Sequence, residues 1–158
     1  MSQATPSETA QGYSPPSVTQ FSVFLDNRVG KLLELLEQFE GNPECSVCAL
    51  SVQEASDYAV VRIIPNSAKV ARDILRRQRL PYAETNILII ELINNHTLSQ
   101  LCMYLLGAEL NIKFAYPLMY RPNGTPTIAM SVDDLTLAGQ ILRRKEFRLL
   151  GELDLPRF

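Results

Sequence analysis

The stretch FLDNRVGKL sets a carboxylate (Asp26), an amide (Asn27), a guanidinium (Arg28), Val29 and a glycine (Gly30) directly before a leucine-rich segment. The start of a helix offers unpaired backbone N–H groups and the positive end of the helix dipole, which suit a carboxylate. Gly30 has no Cβ, so a ligand can approach the backbone there, and it takes a positive φ without steric cost. Asp26 can accept hydrogen bonds from an ammonium group. Residues that answer both ends of a zwitterion point to an amino acid or a similar small molecule. The competing reading is that Asp26 caps the helix and Gly30 relieves the turn.

A second stretch, LINNHTLSQL, places Asn94, Asn95, His96 and Thr97 before another leucine-rich segment. Asn and Thr are good helix caps but neutral, and Leu98 limits close approach. A ligand here would be held by amides and by His96, where the helix dipole disfavours an imidazolium. The alternative is a solvent-exposed loop histidine. His96 is the only histidine, and no Ser/His/Asp or Cys/His pairing is suggested, so no catalytic residue is expected. Cys45 and Cys48 form one C-x-x-C in a segment that reads as a strand, where residues three apart point to opposite faces. With no second such pair, no metal and no cofactor are expected, and three cysteines argue against a disulfide framework.

The chain has 158 residues, is 46% hydrophobic and 20% charged, and carries a formal net charge of −2. That charge argues against a nucleic-acid partner. The basic runs RRQR and RRKEFR close apparent helices, where cations meet the negative dipole end. The apolar run ILIIELI falls well short of the ~20 residues of a membrane span, so no membrane is expected. The start, MSQATPSETAQGYSPPS, lacks the basic and apolar regions of a secretory signal. Its Ser, Thr, Pro and Gln predict a disordered tail over residues 1–17, and the lack of such a signal or span leads us to expect a cytoplasmic protein.

These loops must be positioned by a repeat. ARDILRRQRL and AGQILRRKEF share ILRR at Ile74 and Ile141, 67 positions apart. Ahead of each come two β-rich runs, DYAVVRII and TPTIAMSV nearest, then CSVCALSV and NIKFAYPLM. Ahead of those lie a leucine-rich helix and a further strand, so six elements recur in order. Apolar positions at i, i+3, i+4 and i+7 predict faces of Val29, Leu32, Leu33 and Leu36 in one helix. Leu98, Leu101, Cys102 and Leu105 make the same pattern in its counterpart. RPNGTP reads as a hairpin tip. The order β-α-β-β-α-β predicts an α+β protein of two ferredoxin-like units, over residues 18–86 and 87–155. Each would have an antiparallel sheet with its helices on one face. YAETNILIIEL must then be the last strand of the first unit and the first strand of the second.

This arrangement resembles small stand-alone proteins made of two ACT domains, which share the βαββαβ order and a first-loop pattern close to D-x-P-G. Asp26 and Gly30 fit that pattern; Val29 stands where proline is usual, with one residue more between them. The second loop lacks both the acid and the glycine. The resemblance implies a non-catalytic regulatory protein that senses an amino acid at the interface between ACT domains. It implies ligand contacts from Asp26 to Gly30 and from Asn94 to Thr97. A homodimer is expected, because sheet edges must be paired or protected. The partner implied is an amino-acid biosynthetic enzyme, as for the regulatory subunit of acetolactate synthase. Two other readings are an acylphosphatase-like enzyme using Arg28, and a structural dimer module that binds nothing.

Overall fold

The computed structural model describes residues 7–9, 12–26 and 29–156. Two short strands, β1 (Ser7–Thr9) and β2 (Gly12–Ser14), pair with each other. They are followed by β3 (Val18–Asp26), α1 (Lys31–Glu40), β4 (Val47–Glu54), β5 (Tyr58–Pro65), α2 (Ala68–Arg77) and β6 (Tyr82–Glu91). The chain continues through α3 (Leu98–Gly107), β7 (Ile112–Pro117), β8 (Thr127–Val132), α4 (Leu135–Arg144) and β9 (Arg148–Leu150). No helix among the described residues is long and apolar enough to cross a membrane.

Two compact units result, one of Thr19–Thr85 with Leu155–Phe158, the other of Asn86–Asp154 with Met1–Val18. Their boundary falls inside β6, so this one strand closes the first βαββαβ unit and opens the second. The strand order is β4-β5-β3-β6 in the first unit and β7-β8-β6-β9 in the second, which is the same order of equivalent strands. The helices repeat as well: α3 begins 67 positions after α1 (98 against 31), and α4 begins 67 after α2 (135 against 68).

Each unit has its own core. In the first, Phe21, Val23 and Leu25 of β3 and Val61 and Ile63 of β5 meet Leu35 and Phe39 of α1 and Ala71, Ile74 and Leu75 of α2. In the second, Leu88 and Ile90 of β6 and Met130 of β8 meet Leu101 and Leu105 of α3, Leu142 of α4 and Phe147. The inward stripe of α1 differs from the expected one. Val29 precedes the helix and is fully exposed, and Leu33 is exposed, while Leu35 and Phe39 are buried. Because the helix begins only at Lys31, its apolar face runs through Leu32, Leu35, Leu36 and Phe39. In α3 the expected face is likewise thinned, with Leu98 and Cys102 exposed.

Cys45 and Cys48 also depart from simple alternation, since both are buried. Cys45 lies before β4, and the register shifts between Val47 and Ala49, placing Cys48 in an irregularity of the ladder. Each thiol lies near a backbone carbonyl, Cys45 near Ser67 at 3.8 Å and Cys48 near Ser46 at 3.7 Å.

In the first unit α2 is tied to β6 by a bidentate pair, Arg72 Nε to Glu84 Oε2 at 2.9 Å and Nη2 to Oε1 at 2.6 Å. These hydrogen bonds hold the Glu84 carboxyl below the usual glutamate range. A lowered folded pKa means that the pair stabilises above the unfolded value of about 4.3 and stops doing so as pH falls through the folded value. Glu84→Gln should therefore flatten the acid limb of a stability-against-pH curve measured by urea unfolding. The change should be small, because about a third of each side chain is exposed (30% and 33%). An unchanged acid limb would show that the pair contributes nothing.

Of the stretch expected to be a disordered tail, residues 1–6, 10 and 11 lie outside the described residues. The described part pairs as β1 and β2 and ends in Pro15 and Pro16, both buried. A Cβ added at Gly139 of α4 would clash with Cβ and Cγ of Pro15. Alanine at that position would otherwise favour the helix by up to about 1 kcal/mol. Gly139→Ala should therefore leave the second unit folded but lift Pro15 off α4. Limited proteolysis should then cut ahead of Val18 at least several times faster than in the wild type. An unaltered cleavage rate would mean that the contact is not needed to hold this segment.

Candidate functional site

The first loop joins β3 to α1. Asp26 is exposed at the end of β3, opposite Tyr58 in the β3–β5 register. Asn27 and Arg28 lie outside the described residues. Gly30 is the N-cap of α1, with φ 88° and ψ −10°, and no side chain caps the helix. The N-cap position thus falls at Gly30 and not at Asp26. Among the described residues, Gly30's chain neighbours aside, no atom lies within 4 Å of the position a Gly30 Cβ would take. Lys31 and Glu34 pair across the first turn at 3.4 Å. A cleft of about 150 Å³ between Leu25, Lys31, Glu34 and Leu80 lies beside this turn.

The second loop takes the same place and a different solution. Thr97 stands 67 positions after Gly30 and is the N-cap of α3. It forms a capping box: the Thr97 hydroxyl accepts from Gln100 N at 3.1 Å, and Gln100 Oε1 accepts from Thr97 N at 2.9 Å. Gln100 N of the first turn and Thr97 N before it are thus met from within the chain. Asn94 and Asn95 are exposed and both adopt positive φ, 55° and 61°, which Asn tolerates better than most residues. His96 turns inward and stacks on Phe147, with centroids 3.8 Å apart and planes 11° apart. Its Nδ1 is shut off from solvent with no hydrogen-bond partner. The imidazole packs as an aromatic plate, which neither sequence reading of His96 anticipated.

Sequence reasoning missed the role of a buried carboxylate three residues before Asn94. Glu91 ends β6 and is completely buried. It sits between Thr127 of β8 and Arg148 of β9 in the two registers. Arg148 Nη1 donates to its Oε2 at 3.1 Å, and Asn123 Nδ2 donates to its Oε1. Asn123 belongs to the turn inside RPNGTP, closed by Gly124 N donating to Arg121 O at 3.1 Å, with Gly124 at φ 79°. Glu91 therefore fastens that turn to the end of the sheet. The signal available in the sequence was one acid inside ILIIELI, without an indication of what it meets.

Beside this clamp is a cavity of about 310 Å³ bordered by Leu92, Leu98, Leu118, Ile128 and Arg121. Larger space, about 500 Å³, opens in the first unit at the far ends of α1 and α2 among Glu37, Gln38, Arg77 and Gln78, away from the first loop.

The Glu91 clamp makes a sharp thermodynamic prediction. Arg148→Met strands a buried carboxylate and should cost about 3–5 kcal/mol in urea unfolding. Combining it with Glu91→Leu should recover most of that loss, since an apolar pair replaces a charged one. Additive losses in the double-mutant cycle would show that the two residues do not act as a pair.

Comparison with known proteins places these features in a family. Residues 16–155 match the family described as ACT domain pair. The fold is similar to that of protein BT0572 from Bacteroides thetaiotaomicron, with a TM-score of 0.76, 20% identity, and coverage of 89% of this chain and 96% of that one. It is also similar to the regulatory subunit of aspartate kinase from Thermus thermophilus, with a TM-score of 0.53, 6% identity, and coverage of 82% and 91%. No curated protein matches the chain.

Proposed function

The chain belongs to the ACT domain pair family, and from that membership we propose that it is a non-catalytic regulatory protein that binds an amino acid at the first loop. The observation that carries this reading is the bare helix start at Gly30. Gly30 is left-handed and gives α1 no side-chain cap, and among the described residues, its chain neighbours aside, no atom lies within 4 Å of where its Cβ would stand. An α-carboxylate there would accept from the first-turn amides and gain from the helix dipole. Asp26 stands at the same end of β3 as a partner for the ammonium group. The amino acid would act as an effector, and the protein's output would be control of a partner such as an amino-acid biosynthetic enzyme. A homodimer is part of the proposal. β7 is an edge strand of its unit's sheet, and such an edge invites pairing with a second copy.

The geometry of Gly30 also determines how the test must be built. At φ 88° any L side chain is strained by roughly 1–2 kcal/mol, so a Gly30 variant will lose stability whether or not the loop binds. Gly30→Asn and Gly30→Asp are nearly isosteric and should be destabilised alike. They differ in one negative charge beside the proposed carboxylate. The wild type is first screened against the common amino acids by thermal shift. A ligand at 100 times its Kd adds ~2.7 kcal/mol, a rise of roughly 5–10 °C for a chain of this size. The best amino acid is then titrated calorimetrically into all three proteins. Gly30→Asp should bind at least tenfold more weakly than Gly30→Asn. Equal affinities would remove the first loop as the site, and no shift with any amino acid would favour a structural module.

A further inference from the structure

We propose that the cavity beside the second loop is a separate binding site for an apolar-tailed carboxylate, with Arg121 as its anion partner. Three segments are held side by side to form it. Leu92 N donates to Pro126 O at 2.9 Å, and Leu118 N donates to Thr127 O at 3.2 Å, so the chain after β6, the end of β7 and the start of β8 continue their ladder past the strands proper. The Glu91 clamp on Asn123 fixes the turn that carries Arg121. The walls therefore do not depend on a ligand for their shape.

The lining sets the chemistry. Leu92, Leu98, Leu118, Pro126 and Ile128 give apolar walls, and the volume of about 310 Å³ is at the lower end of the range for small-molecule sites. Leu98 is 53% exposed at the first position of α3, an exposed apolar wall that a bound tail would cover. Arg121 is the one charged residue of the lining, and its guanidinium makes no hydrogen bond or ion pair among the described residues. An arginine at the rim of an apolar cavity fits a carboxylate, which it can hold bidentately. No acidic side chain lines the cavity, so nothing in it selects for an ammonium group. The site should accept an amino acid with an apolar side chain, the corresponding 2-oxo acid and the plain carboxylic acid comparably. This differs from the first loop, where Asp26 and the bare helix start answer a zwitterion, and it stands whether or not that loop binds.

The test uses four probes of one shape: leucine, 4-methyl-2-oxopentanoate, 4-methylpentanoate and the neutral 4-methylpentanamide. Each is titrated by ligand-observed NMR or calorimetry into the wild type, Arg121→Met, Leu98→Glu and Gly30→Asp. The three carboxylates should bind the wild type within about tenfold of one another, and the amide at least tenfold more weakly. Arg121→Met keeps the length of an exposed side chain and should lower carboxylate affinity at least tenfold without moving the melting temperature. Leu98→Glu suits a helix start electrostatically but sets a negative charge at the cavity mouth, and should also abolish binding. Gly30→Asp should leave 4-methylpentanoate binding unchanged, which separates this site from the first loop. The proposal fails if no probe binds, if Arg121→Met binds as tightly as the wild type, or if leucine alone binds.

Discussion

Each of the four helices has ten residues, shorter than the ~12–15 that an isolated helix needs to be even marginal in water. None can exist except on the sheet it covers. Burial of Leu35 and Phe39 in α1, or of Leu101 and Leu105 in α3, therefore carries the helix. The capping residue is a smaller correction, typically ~1 kcal/mol. That ranking leaves the helix starts free to differ. α3 begins with a complete capping box and α1 with a bare glycine, yet both occupy the same place in their units.

The two units accordingly agree where packing decides and diverge where it does not. Helix starts coincide at a spacing of 67, and the strand order is repeated. Divergence is concentrated at the end of the sheet that carries the loops. Phe24 of β3 faces Val60 in its ladder, and Glu91 of β6 faces Thr127, which lies 67 positions after Val60. A half-exposed phenylalanine in one unit is thus replaced by a fully buried carboxylate in the other. Such a charge is tolerable only because Arg148 and Asn123 meet it. Asn123 brings the turn after β7 with it, and the cavity exists because that turn is held down.

The parts legible in the sequence were those with a local signal. The βαββαβ order, the shared strand and the repeat followed from period and from ILRR. Gly30 was legible as a position needing freedom, and it has the positive φ that only glycine adopts at no cost. Other features depend on distant partners. Arg148 lies 57 positions from Glu91 and Asn123 lies 32 from it, and no periodicity connects them. His96 read as a loop residue because its stacking partner, Phe147, lies in another element. The inward stripe of α1 was misplaced because Val29 fits the 3.6-residue period but lies outside the helix. A contact between Pro15 and Gly139 has no sequence signature beyond a glycine where a helix would prefer alanine.

The bare start of α1 follows from its backbone. A side-chain cap needs an N-cap residue in the extended region, as Ser67, Thr97 and Asp134 all are, so that the side-chain oxygen turns back toward the amides of the first turn. Gly30 is left-handed instead, and a serine or aspartate forced into that conformation would not present its oxygen in the same way. The chain enters α1 by a path that excludes a cap of its own. Gly30 itself supplies no cap to the first-turn amides, and the helix, held by Leu35 and Phe39, does not depend on one. A carboxylate bound there would supply the interaction that Ser67, Thr97 and Asp134 supply within the chain to the other three helices, which makes the missing cap and the left-handed Gly30 two aspects of one arrangement.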